Sequence, residues 1–310
     1  MRVGFIGLGT MGASIALNVM RGQHSLVVYD VNQSAANPHI KLGARWGATP
    51  KEVAANSDVV FTSLPGPDEV RSVALGDEGI LAGLSLGSAY FDLSTNSPTM
   101  IRDLHEIFRN KGVELLDAPV SGGPAGARTG KMAIWVGGNK NTFTHYKPVL
   151  DTMSDAALYI GSIGSGCIAK LVHNLSGYII QTALAETFTM GVKAGLEPEG
   201  IWEAVRQGAY GRQRTFDGLK QNFLRAKFDP PNFALRLAHK DVSLACQVGR
   251  EFDVPMKLAN VTLAELTDAL NRGWGELDSR VSMNLQSERA GVEIRVSEER
   301  LKRIIEEDSV

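Results

Sequence analysis

The chain begins with MRVGFIGLGTMGASIALNVMRGQHSLVVYD, residues 1–30, and this stretch decides the fold of its first half. An apolar run, Val3–Ile6, is followed at once by the glycine pattern Gly-x-Gly-x-x-Gly. That pattern opens a helical pattern over Ala13–Arg21, after which a second apolar run, Ser25–Tyr29, appears. Strand, glycine-rich turn, helix and strand in this order predict a β-α-β unit.

The glycine-rich turn has the spacing that suits a dinucleotide phosphate group. In such a turn the first glycine permits the tight bend, the second lets the backbone approach the pyrophosphate, and the third allows close helix packing. The helix that follows presents free N–H groups and a positive dipole end to the phosphates. We therefore predict a dinucleotide site here rather than a simple turn with a capping aspartate. Its phosphate-binding residues are Gly7, Leu8, Gly9, Thr10, Met11 and Gly12.

Asp30 stands eighteen residues after the last of these glycines, at the end of the second predicted strand. A carboxylate there accepts hydrogen bonds from the hydroxyls of an adenosine ribose and repels a 2′-phosphate. Val31 follows, where an arginine often accommodates that phosphate. These residues favour NAD as the cofactor, and NADP is kept open as the alternative.

Composition and charge exclude several function classes. The chain has 310 residues, 44% of them hydrophobic, and a net charge of −2, which is typical of a globular protein of two domains. This charge gives no field that attracts nucleic acid or an anionic membrane. Cys167 and Cys246 lack partners at ligand spacing, so we predict neither disulfides nor a metal site. With no signal-peptide or membrane-span pattern, we expect a cytoplasmic location.

The first half alternates short apolar runs with helical patterns. Near-continuous apolar strands separated by helices are typical of a doubly wound parallel sheet covered on both faces. We therefore predict a Rossmann-like α/β domain over residues 1–162. Its strands are expected at Val3–Ile6, Ser25–Tyr29, Asp58–Thr62, Ala89–Leu93, Val113–Asp117 and Ala133–Val136.

After about Ile160 the pattern becomes helical, and we predict an all-helical second domain over residues 163–310. It opens with a long helix from Cys167 to about Ala194, which Gly195 ends. A charged stretch, Ser297–Glu307, is interpreted as one more helix or a frayed tail. Further helices are predicted over Glu199–Gln207, Thr215–Ala226, Phe233–Phe252 and Met256–Arg272.

Lys170, His173 and Asn174 lie near the start of the long helix, where a spacing of four places the lysine and the asparagine on one face. Burial lowers the pKa of a lysine and makes it a workable general base. An amide one turn later can hold a substrate oxygen. The alternative is a solvated surface lysine, which is the common case for a lysine on a helix.

A small-residue loop, Pro119–Pro124, follows the fifth predicted strand and contains Ser121, Gly122 and Gly123. Its hydroxyl and free backbone N–H groups can hold a carboxylate, and the alternative is a plain turn.

In these motifs the chain resembles the β-hydroxyacid dehydrogenases, which include 3-hydroxyisobutyrate dehydrogenase, tartronate semialdehyde reductase and, more distantly, 6-phosphogluconate dehydrogenase. The resemblance extends from Val3 to about Trp274. The shared motifs, in chain order, are Gly7–Gly12 with Asn18, Leu64-Pro65, Ser94-Thr95 with Pro98, Asp117–Gly123, Gly164–Asn174, Glu186 with Lys193–Leu196, and Lys240-Asp241 with Leu244-Ala245.

The resemblance implies a Rossmann-like domain followed by a helical domain, usually assembled as a homodimer or homotetramer. It implies that Lys170 is the catalytic lysine, and that Asn174 and the loop Ser121–Gly123 hold the substrate. Further residues that it places near the cofactor are Leu64, Pro65, Thr95 and Lys240.

Two departures refine the prediction. In 6-phosphogluconate dehydrogenase a glutamate three residues after the asparagine protonates the product of decarboxylation, whereas this chain has Gly177. We therefore predict alcohol and carbonyl interconversion without decarboxylation. His173 stands where many short-chain members have asparagine, and we place it among the substrate-binding residues. Imine reductases typically replace the lysine by Asp or Tyr, so Lys170 argues against that activity.

Arg212 and Arg214 follow Ala209-Tyr210, in a segment that forms a loop facing the cleft in relatives. Guanidinium groups fit a carboxylate, sulfonate or phosphate, so these arginines are candidates to hold a second anionic group of the substrate. The alternative is that they are surface arginines or subunit contacts.

The combined prediction is reversible oxidation of a small anionic 3-hydroxy acid, similar to 3-hydroxyisobutyrate, to its semialdehyde or ketone with NAD. Lys170 is the general acid and base. The alternatives are a reductase of a related carbonyl, such as tartronate semialdehyde or a dianionic substrate, and a non-catalytic nucleotide-binding protein. We expect neither a nucleic-acid nor a membrane partner.

Overall fold

The chain folds into two compact units, Met1–Ser176 and Gly177–Val310. The computed structural model describes residues 1–196, 204–205, 207–212, 222–232, 234–236, 238–239, 242–243, 246, 250, 253–289, 291, 295–299 and 301–302, with the backbone alone at 175–179, 181–186, 188–189, 193, 211–212 and 287. The first unit includes the first turns of the long helix, and the predicted boundary between residues 162 and 163 stays a prediction.

One sheet of nine strands forms the first unit, in the order β3-β2-β1-β4-β5-β6-β8-β7, with β9 paired to β8. All pairs are parallel except β6 with β8 and β7 with β8. The strands are β1 (Arg2–Ile6), β2 (Ser25–Tyr29), β3 (Arg45–Trp46), β4 (Val59–Thr62), β5 (Ala89–Asp92), β6 (Glu114–Asp117), β7 (Val120–Ser121), β8 (Met132–Gly137) and β9 (Ser154–Gly161).

The strand order reverses at β1, because the chain passes from β1 to β2 on one side and returns to β4 on the other. At such a switch point the loops leaving the carboxyl ends of adjacent strands diverge, and a ligand crevice opens between them. The fold therefore places the glycine-rich turn and the loop after β4 at one crevice.

Helices cover both faces of this sheet, because successive side chains of a strand point to opposite faces. Phe5, Phe61 and Phe91 belong to one buried cluster, and Ile6 and Tyr90 belong to the other. The helices are α1 (Gly12–Arg21), α2 (Asn37–Lys41), α3 (Pro50–Ala55), α4 (Pro67–Leu75), α5 (Ile80–Gly83), α6 (Pro98–Asn110), α7 (Gly123–Thr129), α8 (Lys140–Met153) and α9 (Ser165–Lys193), with a 3-10 helix at Gln33–Ala36.

The described residues of the second unit form helices around a small core. Phe223, Leu235, Leu266 and Leu285 are buried in this core. The helical segments after α9 are α10 (Ala209–Arg212), α11 (Lys257–Asn271) and α12 (Asn284–Arg289), with 3-10 helices at Phe223–Arg225 and Ser279–Met283. In the described part of the chain, no helix is both long and apolar enough to cross a membrane.

The predicted fold class is confirmed, and so are the six predicted strands and the long helix, with ends shifted by one or two residues. Sequence patterns missed the two short strands β3 and β7 and the edge strand β9. The strand predicted at Ala133–Val136 exists, but it runs antiparallel to β6 rather than parallel. The connection from β6 to β8 includes β7, which continues beyond β6 and also pairs antiparallel with β8.

Five other predictions are corrected or lie mostly outside the described residues. The segment Pro119–Pro124 is more than a loop, because Ser121 ends β7 and Gly123 begins α7. Within Thr215–Ala226, the described residues form a 3-10 helix rather than an α-helix. Most of Glu199–Gln207 and Phe233–Phe252 lies outside the described residues, as does much of Ser297–Glu307.

Candidate active site

The glycine-rich turn between β1 and α1 requires glycine at two positions and is open at the third. Gly7 has φ +93°, and a Cβ there would lie 2.3 Å from the carbonyl oxygen of Ser63. A Cβ on Gly12 would lie 1.9 Å from the carbonyl oxygen of Gly7. In contrast, a Cβ on Gly9 would meet nothing within 4 Å. The open face at Gly9 is therefore where a pyrophosphate can approach the backbone, and the turn fits a dinucleotide.

A cavity of about 650 Å³ lies at this turn. Of the described residues that line it, three carry carboxylates, Asp30, Asp68 and Glu69, and none is lysine or arginine. The lining residues are Ile6, Gly7, Gly9, Thr10, Met11, Gly12, Tyr29, Asp30, Val31, Ser63, Leu64, Pro65, Asp68, Glu69, Ser72 and Val73. Nearly all of the predicted phosphate-binding turn, together with Asp30, Leu64 and Pro65, therefore borders one cavity.

Sequence reasoning missed the contribution of α4, whose residues Asp68, Glu69, Ser72 and Val73 line the cavity. A usable signal was present, because α4 follows the Leu64-Pro65 pair directly. The strand before that pair neighbours β1 in the sheet, so the next helix starts beside the crevice.

Asp30 is tied to the glycine-rich turn. Its Oδ2 accepts a hydrogen bond from the N–H of Leu8 at 2.6 Å, and its Oδ1 accepts one from the N–H of Asn32 at 2.8 Å. Each carboxylate oxygen can accept a second bond, so both remain able to accept from ribose hydroxyls. Val31, the next residue, is 91% exposed. At this point the rim of the cavity therefore consists of the acidic Asp30 and the apolar Val31.

Thr95 is exposed in a loop that a buried carboxylate shapes. Asp92 accepts hydrogen bonds from Thr62 Oγ1 at 2.8 Å and from Asn96 Nδ2 at 2.9 Å. It also accepts one from the N–H of Ser94 at 3.1 Å. Burial raises the pKa of Asp92, and these hydrogen bonds oppose the shift. The hydrogen bonds to Asp92 therefore fix the backbone of Ser94 and the side chain of Asn96, the residues on either side of Thr95.

Asn18, a motif residue without a predicted role, connects the two halves of the site. It is buried in α1, and its Nδ2 donates to the carbonyl oxygen of Ala127 in α7 at 2.7 Å. Helix α1 begins at the glycine-rich turn, whereas α7 begins at Gly123. The amide therefore attaches α7, which follows the segment at Ser121, to α1, which follows the glycine-rich turn.

Ser121, His173 and Asn174 are brought together at the start of α9. Ser121 Oγ lies 3.4 Å from His173 Nε2, and His173 Nδ1 lies 3.0 Å from Asn174 Oδ1. Because an amide oxygen only accepts, Nδ1 carries the hydrogen in this arrangement and Nε2 accepts from the serine hydroxyl. The imidazole also packs against Trp135, with ring centroids 5.3 Å apart. The histidine ring is therefore oriented from three sides.

Lys170 lies one turn before Asn174 on the same helix and is partly buried. Burial lowers the pKa of its ammonium group. Among the described residues, none forms an ion pair with Lys170 that would oppose this shift. A lysine in this state loses its proton more readily than an exposed one, which is the property a general base requires.

The remaining predicted site residues are only partly described. Of the segment Gly211–Arg214, a loop in relatives, the first two residues end the short helix α10, and the last two lie outside the described residues. The side chain of Arg212, and the whole of Arg214 and Lys240, lie outside the described residues. Within the described part of the chain, no group of three or more acidic, histidine or cysteine side chains could hold a metal ion.

Comparisons with known proteins assign the family. Residues 2–161 match the NAD binding domain of 6-phosphogluconate dehydrogenase. Residues 164–285 match the NAD-binding domain of NADP-dependent 3-hydroxyisobutyrate dehydrogenase. The chain belongs to the β-hydroxyacid dehydrogenase family. This confirms the resemblance found in the sequence motifs, and the protein is an NAD(P)-dependent hydroxyacid oxidoreductase.

Individual members of the family align along most of the chain. The 2-(hydroxymethyl)glutarate dehydrogenase of Eubacterium barkeri is 31% identical over 293 residues, which is 94% of this chain and 97% of that protein. The 3-hydroxyisobutyrate dehydrogenase of Pseudomonas aeruginosa is 33% identical over 248 residues, 78% of this chain and 83% of that one. A structure of Mycobacterium tuberculosis 3-hydroxyisobutyrate dehydrogenase with L-serine has a TM-score of 0.64 at 27% identity, and covers 92% of this chain and 99% of that one.

Proposed function

We propose that this β-hydroxyacid dehydrogenase reversibly oxidises the hydroxyl group of a small 3-hydroxy acid, similar to 3-hydroxyisobutyrate, with NAD. The observation that carries the proposal is the partly buried Lys170 of lowered pKa, one helical turn before an asparagine that contacts the Ser121–His173 pair. Two of the relatives are named for such substrates, 2-(hydroxymethyl)glutarate and 3-hydroxyisobutyrate.

Neutral Lys170 takes the proton of the substrate hydroxyl, and in the reverse direction its ammonium group returns a proton to the carbonyl oxygen. When bound, the nicotinamide supplies the acceptor for the hydride. The Oδ1 of Asn174 is engaged by His173, so its amide N–H groups are the part that donates to the substrate oxygen. Proton transfer by a positioned group contributes about 10²–10⁴-fold to the rate.

The substrate carboxylate is held by the hydroxyl of Ser121 and the backbone N–H groups of Gly122 and Gly123. Gly123 has φ +60°, and a Cβ there would meet nothing within 4 Å, so the loop is open to a ligand. The hydroxyl of Ser121 has a single proton, which it donates to His173 Nε2 in this structure, so it gives up that bond when it donates to the carboxylate. Arg212 and Arg214 are proposed to hold a second anionic group where the substrate has one.

NAD is proposed over NADP because the lining of the nucleotide cavity is acidic. Asp30, Asp68 and Glu69 are carboxylates, and the described lining contains no lysine or arginine that would neutralise a 2′-phosphate. Decarboxylation is not part of the proposed reaction, since Gly177, three residues after Asn174, has no side chain to protonate the product. A cytoplasmic location and assembly as a homodimer or homotetramer stay predictions.

The experiment is a panel of hydroxy acids run in parallel with NAD⁺ and NADP⁺, followed by absorbance at 340 nm. Using the substrate with the highest kcat/KM, we compare the wild type with Lys170→Ala and Lys111→Ala. Lys111 is an exposed lysine between α6 and the amino end of β6, where its Nζ donates to the carbonyl oxygen of Leu81. We expect kcat to fall about 10²–10⁴-fold in Lys170→Ala and to stay unchanged in Lys111→Ala.

A near-normal kcat in Lys170→Ala contradicts the assignment of the lysine. If NAD⁺ binds but no hydroxy or carbonyl acid of the panel turns over, the non-catalytic alternative is favoured. The role of the arginines is tested separately, because Arg212→Ala and Arg214→Ala are expected to raise KM only for substrates with a second anionic group. An unchanged KM for such substrates rejects that role.

A further inference from the structure

The side chain of Asp117 connects the end of β6 to the beginning of α9. It is fully buried, at 0% exposure. Its Oδ1 accepts a hydrogen bond from the N–H of Gly164, and its Oδ2 accepts one from the N–H of Cys167, each at 2.7 Å. Gly164 directly precedes α9 and Cys167 lies in its first turn, whose free donors and positive dipole end attract a carboxylate. A strand residue therefore caps the helix that carries Lys170.

The surrounding backbone leaves room for this carboxylate and little else. A Cβ on Gly137 would lie 2.5 Å from Asp117 Oδ1, and a Cβ on Gly166 would lie 2.9 Å from Asp117 Oδ2. No described residue forms an ion pair with Asp117. Burying a carboxylate is costly unless it is fully hydrogen-bonded, so the position of the helix N–H groups is strongly constrained by the carboxylate.

Two segments of the candidate active site diverge from this contact. Strand β6 continues through Pro119 to the loop at Ser121, four residues after Asp117. Helix α9 continues to Lys170, three residues after the capped N–H group of Cys167. Further out, the contact between Ser121 Oγ and His173 Nε2 again joins the same two segments. The carboxylate is therefore the inner of two connections that determine how far apart these segments lie.

The first turn of α9 also contacts the loop that carries Thr95. The thiol of Cys167 interacts with the side chain of Asp117 and with the backbone of Asn96. Burial, with the nearby carboxylates, raises the pKa of this thiol, so it is a neutral donor rather than a reactive thiolate. The end of β6, the start of α9 and the loop that carries Thr95 therefore meet at Asp117 and Cys167.

We propose that Asp117 is a positioning residue for the dehydrogenase reaction: it holds the first turn of α9 against β6 and thereby sets the distance between Lys170 and the substrate loop Ser121–Gly123. The inference rests on the proposed function, in which Lys170 transfers the proton. Asp117 itself acts only through the backbone of α9. A displacement of about 1 Å in such an arrangement costs about 10²-fold in rate.

The test is a double-mutant cycle between Asp117→Asn and Lys170→Ala. The asparagine keeps the shape, but it turns an N–H donor toward one of the two backbone N–H groups. We expect kcat to fall about 10–100-fold in Asp117→Asn, with the Kd for NAD⁺ within about threefold of the wild type, because the glycine-rich turn is not held by Asp117. In the Lys170→Ala background the same change is expected to lower kcat by less than about threefold, because coupled residues are not additive.

Asp278→Asn is the matched control. Asp278 is also fully buried and accepts backbone N–H bonds from Asn232 and Arg280, but it also forms an ion pair with Arg280 and belongs to the second compact unit. We expect its loss to lower the Tm, as in Asp117→Asn, with no loss of kcat in the folded protein. If Asp117→Asn does not fold, Gly166→Ala replaces it, since the added Cβ would lie 2.3 Å from the carbonyl oxygen of Trp135 and displaces the same turn.

A folded Asp117→Asn protein with wild-type kcat overturns the proposal. An equal loss of kcat in the presence and absence of Lys170 also overturns it, since a purely structural residue gives additive effects. If neither Asp117→Asn nor Gly166→Ala folds, the role is in folding and the positioning role is rejected. Failure of the proposed function is seen independently, as a wild-type kcat in Lys170→Ala while Asp117 is intact.

Discussion

Removing the charge of Asp30 is expected to change the cofactor preference more than the fold. Asp30 Oδ2 accepts the N–H of Leu8, and the side-chain oxygen of an asparagine can keep that hydrogen bond. The asparagine loses the bond that Oδ1 accepts from the N–H of Asn32, and it removes one negative charge beside the proposed position of the adenosine ribose. Asp30→Asn therefore tests the charge of the side chain while its bond to Leu8 is kept.

The magnitude follows from the charges. Two unit charges about 4 Å apart interact by about 4 kcal/mol at an effective dielectric constant of ~20, and salt reduces this at an open rim. We take about 1.4–3 kcal/mol for the relief of repulsion on NADP⁺, which is ~10–150-fold in Kd. NAD⁺ loses part of a charge-assisted hydrogen bond, about 1 kcal/mol, or ~5-fold. The ratio of the two Kd values is thus expected to shift about 100-fold toward NADP⁺.

The assay is titration calorimetry with NAD⁺ and with NADP⁺ at one fixed ionic strength. Asp103→Asn removes an exposed carboxylate of α6 that is not among the residues lining the cavity, and it serves as the control for net charge. Glu69→Gln, which does line the cavity, is expected to shift the ratio in the same direction by a smaller factor. A Kd ratio unchanged within about threefold in Asp30→Asn would refute the reasoning, as would tighter binding of NADP⁺ by the wild type.

Two more predictions concern the lysine and the glycine-rich turn. Burial lowers the pKa of Lys170, and the neutral form is the base, so kcat/KM for alcohol oxidation is expected to rise with pH through a midpoint below the ~10.4 of an ordinary lysine. Over the same pH range, kcat/KM for carbonyl reduction is expected to fall. Measuring kcat/KM against pH in both directions checks this, and the pH dependence is expected to be absent in Lys170→Ala. Gly9→Ala is expected to keep the wild-type Tm and lose NAD⁺ affinity, whereas Gly12→Ala, whose Cβ would lie 1.9 Å from the carbonyl oxygen of Gly7, is expected to lower the Tm. Thermal unfolding and NAD⁺ titration distinguish the two variants. Equal losses of Tm in both would contradict the geometry.

Local sequence patterns predict the parts of this fold that are long and apolar. The strand at Ser25–Tyr29 and the helix starting near Cys167 are found because their apolar periodicity is sustained over many residues. The strand Arg45–Trp46 is missed because two residues carry no periodicity, and it exists only by pairing with β2. Ser154–Gly161, at the sheet edge, has one buried residue and otherwise half-buried or exposed ones, so alternating burial does not mark it.

The candidate site shows the same division between local and long-range information. The turn Gly7–Gly12 and the acceptor Asp30 are predicted because their roles depend on spacing within one β-α-β unit. The contact between Ser121 and His173 joins residues 52 positions apart, and no local pattern reports such a distance. Only the resemblance to a family placed these two residues in one site.

Aspartates at the carboxyl ends of three strands hold the loops of the candidate site in place. Asp30, Asp92 and Asp117 end or directly follow β2, β5 and β6, and each accepts at least one backbone N–H bond from a loop at the carboxyl ends of the strands. Among the described residues none of the three has a cationic partner, so each depends on those N–H groups, and hydrogen bonds to charged groups stabilise by about 1.5–3 kcal/mol. Aspartate suits this role because its short side chain has few rotamers to lose. The loops are thus held by the sheet before any ligand binds, which lowers the entropic cost of binding.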